Sequence, residues 1–320
     1  MNPLTELYGA VTFLRNTLFD RGVLSSRRLE QPVVSVGNLS VGGSGKTPFV
    51  IALGELLKAR GIRFDVLSRG YGRKTRGVLV VEADGKASDF GDEPLLIARR
   101  LGVPVIVGES RYEAGRVAEQ KFHSQLHILD DGFQHRSLAR DFDIVMMTER
   151  DLRDRLLPSG RMRESLGSLT RADAIVLPRG LGLESRMLAQ KLFWRIEREL
   201  LMENPPSRPV VFCGIARPEQ FFAQVRGTGI TPAAEMSFRD HHAYGLHDIQ
   251  ALIRACRDSQ ADGFLTTEKD AINLAANQQL GPNQHDLKPL AVAVLRLTID
   301  DPTDVVDAIL TRIREQKLRS

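Results

Sequence analysis

The hydrophobic pattern opens with a helix. Leu4, Leu7, Tyr8, Val11, Leu14 and Leu18 recur at intervals of three and four, with Glu6, Arg15 and Asn16 between them. That spacing predicts an amphipathic helix over 4–19, which either packs on the domain or lies in a membrane interface. Beyond it, short apolar runs at 33–36, 63–67, 78–82, 104–107, 126–129, 143–147 and 174–177 predict buried strands. Helical periodicity fills 46–60, 93–101 and 111–121 between several of them. Strands apolar throughout, alternating with helices, describe a mostly parallel sheet covered on both faces, so the predicted class is α/β.

A further helical spacing over 183–202 runs into the segment 204–209, NPPSRP. Adjacent prolines end a helix and favour an extended connection, so the domain boundary is expected there. Residues 1–205 would form the N-terminal helix and the core. Residues 206–320 would form a smaller α/β domain, with strands at 209–214, 233–238, 263–266 and 289–297 and helices at 217–225, 246–257 and 302–315.

Composition narrows this picture only slightly. The 320 residues are 42% hydrophobic and 26% charged, an ordinary balance for a globular chain with a full core. Two cysteines, Cys213 and Cys256, supply neither a disulfide framework nor a metal-ligand spacing, which favours a reducing compartment. The first residues lack the pattern of a signal peptide, and no apolar run reaches the roughly 18 residues of a membrane span. A net charge of +4 does not argue for nucleic acid, and no obligate protein partner is indicated. Arginines do cluster at positions 60, 63, 69, 73 and 76, and again at 150, 153, 155, 161 and 163. Such clusters are either solvated surface or a field for an anionic substrate or lipid surface.

Chemistry enters at VVSVGNLSVGGSGKTPFV, residues 33–50. An apolar strand runs through a glycine-rich turn into a helix, the context of a phosphate-binding loop. Gly42, Gly43, Ser44 and Gly45 would turn their N–H groups inward as an anion nest. Lys46 would bridge the terminal phosphates of a nucleoside triphosphate, and Thr47 would give its hydroxyl to Mg²⁺. Two positions break the generic signature: Ser40 stands where it has glycine, and Pro48 follows the Lys-Thr pair. Neither defeats the loop, because nearby glycines supply freedom and proline is tolerated in a first helical turn. A second acidic element, Asp130 and Asp131, ends the apolar run of LHILDDGFQH, where ligands sit in open α/β sheets.

Three nucleotide-using classes compete. A GTP-dependent switch should carry [NT]-K-x-D; the nearest string, Thr267-Glu268-Lys269-Asp270, has its lysine in the wrong place. A binding or assembly ATPase needs only the loop. A kinase needs a carboxylate for the acceptor hydroxyl as well. ASDFGDEP offers Asp92 and Glu93 at a helix start, where they could equally be capping residues. SFRDHHAYGLHD offers Asp240, His241, His242 and His247, a metallohydrolase site in a rival reading, although without cysteine partners or HExxH spacing. A histidine paired with the carboxylate across the domain cleft fits better.

Taken jointly, GNLSVGGSGKTP, LSRGYGR, GDEP, LDDGFQH, LPSGRMRE, FCGIARPEQF, FRDHHAY and LTTEKDAINL closely resemble the tetraacyldisaccharide 4′-kinase family, over about 33–274. The resemblance implies ATP- and Mg²⁺-dependent phosphorylation of the 4′-hydroxyl of a tetraacylated glucosamine disaccharide 1-phosphate, giving lipid IVA for lipid A. It implies a peripheral enzyme on the cytoplasmic face of the bacterial inner membrane. The implied fold is a P-loop core and a smaller α/β domain, joined by a β-ribbon that permits closure over ATP. Carried onto this chain, Asp92 is the base and His241, favoured over His242, its partner. Lys46 contacts phosphate, Thr47, Asp130 and Asp131 serve the metal, Glu164 lies near the metal, and Arg163 contacts phosphate or substrate. Arg69, Tyr71 and Arg111 handle substrate.

Overall fold

Every residue of the run Val33–Asn38 is buried, because the strand it forms lies between helices on both sides of a sheet. The computed structural model describes residues 2–183, 186–276 and 287–319. In chain order its elements are α1 (Pro3–Asp20), β1 (Val33–Asn38), α2 (Lys46–Ala59), β2 (Phe64–Ser68), β3 (Leu79–Val80), α3 (Ala87–Phe90), α4 (Asp92–Leu101), β4 (Val105–Val107), α5 (Arg111–Phe122), β5 (Leu126–Asp130) and β6 (Phe142–Met146). There follow β7 (Ala174–Pro178), β8 (Leu192–Met202), β9 (Val210–Cys213), α6 (Pro218–Gly227), β10 (Ala234–Ser237), α7 (Leu246–Asp258), β11 (Phe264–Thr267), α8 (Glu268–Ala276), β12 (Leu290–Ile299) and α9 (Pro302–Arg319).

Among the described residues the strands form one 12-stranded sheet, in the order β10-β9-β11-β12-β8-β7-β6-β1-β5-β2-β4-β3. From β8 to β4 all pairings are parallel. Strands β10, β9, β11 and β12 are parallel to one another. The two blocks meet in an antiparallel ribbon, β8 against β12, from Ala293 opposite Met202 to Ile299 opposite Ile196. The fold is thus α/β with a mostly parallel sheet and an N-terminal helix, as expected.

Side chains alternate across the sheet. Val34 and Val36 of β1 face a core shared with Phe49, Val50 and Leu53 of α2, Leu95 and Ile97 of α4, and Val305, Val306 and Ile309 of α9. Val33 faces the opposite core, with Ala114 and Ala118 of α5. A separate core of Val210, Phe212, Tyr244, Ile249 and Leu252 fills the far block. Helix α9 follows the last strand of that block, yet it returns to the near one. Asp307 pairs with Arg60 at 3.0 Å, and Gln316 Nε2 donates to Asp141 O at 3.0 Å.

One predicted element is corrected. The spacing over 183–202 predicts a helix, but residues 192–202 form β8; Glu184 and Ser185 lie outside the described residues. Its leucines satisfy a helical period, yet the burial runs at period two where it matters: Trp194 and Ile196 are buried while Phe193 and Glu197 are exposed. Trp194 stacks on Phe142 of β6, ring centroids 5.9 Å apart and nearly parallel. Pairing on both edges of the strand outweighs a weak local propensity. Helix α8, within LTTEKDAINL, is one that periodicity did not predict.

Because the near block is parallel, the C-terminal ends of β1, β2 and β5 open on one edge, and residues 39–45, Ser68 and Asp131 gather there. Trp194 joins the ribbon to this block. Trp194→Ala is expected to cost about 3–5 kcal/mol, read from urea unfolding followed by circular dichroism; a loss below ~1 kcal/mol would remove the stack from the account of the ribbon.

Candidate active site

The phosphate-binding loop is built on a small ladder. Val41 N donates to Arg161 O at 2.8 Å, Arg163 N donates to Leu39 O at 2.6 Å, and Ser40 bridges Met162. Ser40 therefore sits in extended backbone, which any residue adopts, and the position needs no glycine. The turn comes later, at Gly42 and Gly45, whose φ values of 94° and 89° lie where a side chain would be strained. Helix α2 starts at Lys46, and its first backbone bond runs from Phe49 N to Gly45 O, so Pro48 removes no helical hydrogen bond.

Lys46 Nζ donates to Asn38 Oδ1 at 3.1 Å and lies 3.4 Å from Asp131 Oδ1. Asp131, in the left-handed region at φ 52°, also accepts two bonds from Arg163, at 3.0 and 2.8 Å. Arg163 donates to Asn38 as well. It fixes the Asp131 carboxylate and the end of β1, so its guanidinium is occupied by protein rather than open to phosphate. Asn38, which sequence reasoning missed, is the joint between Lys46 and Arg163; its only signal was its place at the strand end before the loop.

Asp130 and Asp131 differ in state. Burial, then the charges of Glu93 and Asp131, push the Asp130 carboxyl up to about 7, against Lys46 and a 3.1 Å bond from Ser68 Oγ. Burial also opposes charge on Asp131, but Lys46 and Arg163 outweigh it and hold that carboxyl well below the usual range. Asp130 Oδ1 and the buried hydroxyls of Ser40 and Ser44 have no hydrogen-bond partner. Among the described residues no three carboxylate, histidine or cysteine groups could hold a metal by themselves. That donor set suits Mg²⁺, which takes one or two carboxylates and completes its shell with phosphate oxygens and water. The residues present therefore fit a nucleoside triphosphate with Mg²⁺.

Glu164 departs from its expected place. Its Oε2 accepts from Asn16 of α1 at 2.6 Å and from Arg171 at 2.9 Å. Through this oxygen it clamps the N-terminal helix, while its Oε1, buried, has no hydrogen-bond partner.

Asp92 opens α4, 4% exposed, and His241 meets it from the loop after β10. His241 Nδ1 lies 2.9 and 2.8 Å from the two carboxylate oxygens. Gly91 allows this: a Cβ there would come within 2.8 Å of Tyr71 O, so only glycine lets the loop after β2 lie over the start of α4. Tyr71 then sets its ring 5.1 Å from the His241 ring. Burial opposes the Asp92 charge, but the His241 hydrogen bond, the Lys269 charge and the Glu93 amide outweigh it and lower its pKa. The bond to Asp92 raises His241 above the ordinary histidine value, against burial and Lys269. The charged pair thus exists between the lowered Asp92 pKa and the raised His241 pKa. Its contribution is lost as pH falls through the first or rises through the second.

His242 turns away, with Nε2 2.9 Å from Asp248 and its ring 4.8 Å from Phe238. The two histidines take different carboxylate partners, and among the described residues they join no cluster that could hold a metal. Arg111 is buried against Gly108 O and Glu109 O; burial, then Arg69 and Arg73, lower it to about 10 while Asp130 and Asp131 hold it charged. Arg69 and Tyr71 are exposed at the same edge.

The chain as a whole is similar to known proteins. Residues 1–314 match the family model described as tetraacyldisaccharide-1-P 4′-kinase. A tetraacyldisaccharide 4′-kinase of Koribacter versatilis is 47% identical over 99% of this chain and 100% of its own length. One from Aquifex aeolicus is 40% identical over 85% of this chain and 88% of its own. The crystal structure of the "apo" form of LpxK from Aquifex aeolicus in complex with ATP matches with a TM-score of 0.78 at 35% identity, covering 97% of this chain and 98% of that one.

A cation that binds Asp130 must displace its proton. The Mg²⁺ concentration for half-maximal ATP binding is therefore expected to fall as pH rises toward neutrality, by up to about tenfold per pH unit, and to level off above it. Mg²⁺ titrations at pH 6 and pH 8 check this; equal midpoints would place the cation away from Asp130.

Proposed function

The chain belongs to the tetraacyldisaccharide 4′-kinase family, and we propose that its two halves jointly make the proton acceptor for that reaction, Asp92 from one and His241 from the other. It is an ATP-dependent kinase that phosphorylates the 4′-hydroxyl of a tetraacyldisaccharide 1-phosphate to form lipid IVA in lipid A biosynthesis. The alternative of an ATPase that only binds or assembles is not favoured.

The observation that carries the residue assignment is the 2.8 Å contact of His241 with a buried carboxylate 149 positions away. ATP bound with Mg²⁺ supplies the phosphoryl group and the metal charge that offsets its oxygens. The N–H groups of residues 42–45 and Lys46 would hold the phosphates, and the Thr47 hydroxyl, Asp130 and Asp131 would hold the cation. Asp92 accepts the proton of the acceptor hydroxyl at a carboxylate oxygen. His241 aims that carboxylate and keeps it charged. Arg69 and Tyr71 line the approach and receive the anionic substrate, with the buried Arg111 adding its charge from behind and Arg163 acting through Asp131. In this reading 1–205 and 206–320 are two lobes whose closure excludes water, with α9 strapped back over the first.

The same reading places the enzyme peripherally on the cytoplasmic face of the bacterial inner membrane, through α1. That helix docks by its polar residues: Tyr8 donates to Arg163 O, Asn16 to Glu164, and Arg136 to Asn16 O. Its apolar residues point outward, with Leu7 62% and Phe13 74% exposed alongside Leu4, Val11 and Leu14. A helix inverted in this way suits insertion into a lipid interface. Among the described residues no helix is long and apolar enough to cross a membrane.

Lys46→Ala and Asp92→Ala are expected to abolish phosphate transfer to micellar disaccharide, the latter by roughly 10²–10⁴-fold or more. His241→Ala should lose less, because it aims a base that remains. An Asp92→Ala protein working at the parent rate would remove the base assignment. Leu7→Glu with Phe13→Glu should weaken flotation with anionic vesicles and leave ATP affinity unchanged, since neither side chain packs inward. Undiminished flotation would return α1 to a purely structural role.

A further inference from the structure

The string Thr267-Glu268-Lys269-Asp270, unfit for guanine recognition, ends β11 and begins α8 next to Asp92. Asp270 Oδ1 accepts from Gly214 N at 2.8 Å and Tyr244 OH at 2.7 Å, and Oδ2 accepts from Thr267 Oγ1 at 2.6 Å. His241 N donates to Gly214 O at 3.0 Å. The start of α8 and the loop carrying His241 are thereby one rigid block. That block presents Lys269 to the first turn of α4, where Nζ pairs with Glu93, the residue after Asp92. A second bridge, Glu268 to Arg100 at 2.8 Å, fixes the two helices together.

We infer that Lys269 is a positioning residue for phosphoryl transfer: delivered with His241 by the second half of the chain, it clamps Glu93 and holds the adjacent Asp92 as an aimed carboxylate. This rests on Asp92 being the base. Asp92 is faced by His241 and Lys269 and receives the Glu93 amide. The acidic groups around them are Glu93 on α4 and Asp240 in the loop after β10, which face Lys269, Asp270 on α8, which feels Asp92, and Asp130 of β5, which feels Glu93. Tyr71 covers His241 from the loop after β2. Lys269 acts on Asp92 and Glu93 as an attractive charge and on His241 as a repulsive one. Burial disfavours its ammonium, yet Glu93, Asp92 and Asp240 hold it protonated. A base assembled from one half alone would lack both the histidine and this lysine, so contact between the halves sets whether Asp92 is competent.

The test uses the full-length enzyme in micelles, with Lys269→Met, Lys269→Arg, Glu93→Gln and Asp92→Ala. Lys269→Met should lower kcat by about tenfold or more with little change in the KM for ATP. Its His241 imidazole titration, followed by NMR, should move to higher pH, whereas Glu93→Gln should move it lower, because removing opposite charges gives opposite shifts. Lys269→Arg should restore most of the rate. A parental kcat in Lys269→Met, or a His241 titration that does not move oppositely in the two variants, overturns the inference, including where Lys269→Met loses fold stability. If Asp92→Ala itself retains the parent rate, the base assignment fails and the lysine's role falls with it, a result distinct from failure of the lysine alone.

Discussion

The arrangement depends on keeping carboxylates usefully charged while they are out of water and close together. Asp92 and Asp130 are buried and Asp131 is half-buried beside them, and the reactants bring further negative charge as a triphosphate and a sugar phosphate. Desolvation by itself would protonate all three. The fold answers with a different partner for each. Asp131 receives Lys46 and Arg163 and stays ionised. Asp92 receives His241 and feels Lys269. Asp130 has only part of this support, is pushed up to about 7, and keeps one oxygen without a hydrogen-bond partner. The surrounding arginines bear the converse penalty: His135, beside Arg111, Arg140 and Arg69, is pushed down to about 4, first by burial and then by these charges.

Those partners come from distant parts of the chain, and the sheet explains how. The near block opens its C-terminal edge over the phosphate loop, while the far block, turned over by the antiparallel β8–β12 ribbon, brings the loops after β10 and β11 to the same place. His241–Asp92, Lys269–Glu93 and Glu268–Arg100 all cross between the blocks at α4. The return of α9 onto α2 ties the blocks a second time, away from the site. At the site the ribbon's two blocks are joined by ion pairs, and beside it Ile272 of α8 packs into the core of the near block.

The phosphate loop shows how much a generic pattern can misjudge. Ser40 occupies a β-bridge to Met162, so the glycine expected at that position has no conformational task, and Pro48 stands where no helical bond is owed. Helix α1 carries a similar lesson. Its apolar period was plain, but which face met the protein was decided by Asn16, Tyr8 and their partners Glu164 and Arg163, so the apolar stripe is left outside.

The sequence by itself determined the alternation of buried strands and helices, the phosphate loop and the acidic pair at the end of β5, because each is written in contiguous residues whose chemistry and spacing are local; Asp92 it left open between a capping residue and a base. Only the tertiary structure decided the rest. Residues 192–202 read as helix until strands on both sides claimed them for β8. Glu164 is expected near the metal; the fold gives its Oε2 to Asn16 and Arg171. His241 and His242 are adjacent and chemically equal; a φ of 58° at His241 and the Asp248 partner of His242 separate their tasks. Lys269 carried no sign of its place beside Glu93. Where a side chain points, and which charge it meets, depends on contacts between residues more than a hundred positions apart, and no local periodicity encodes those.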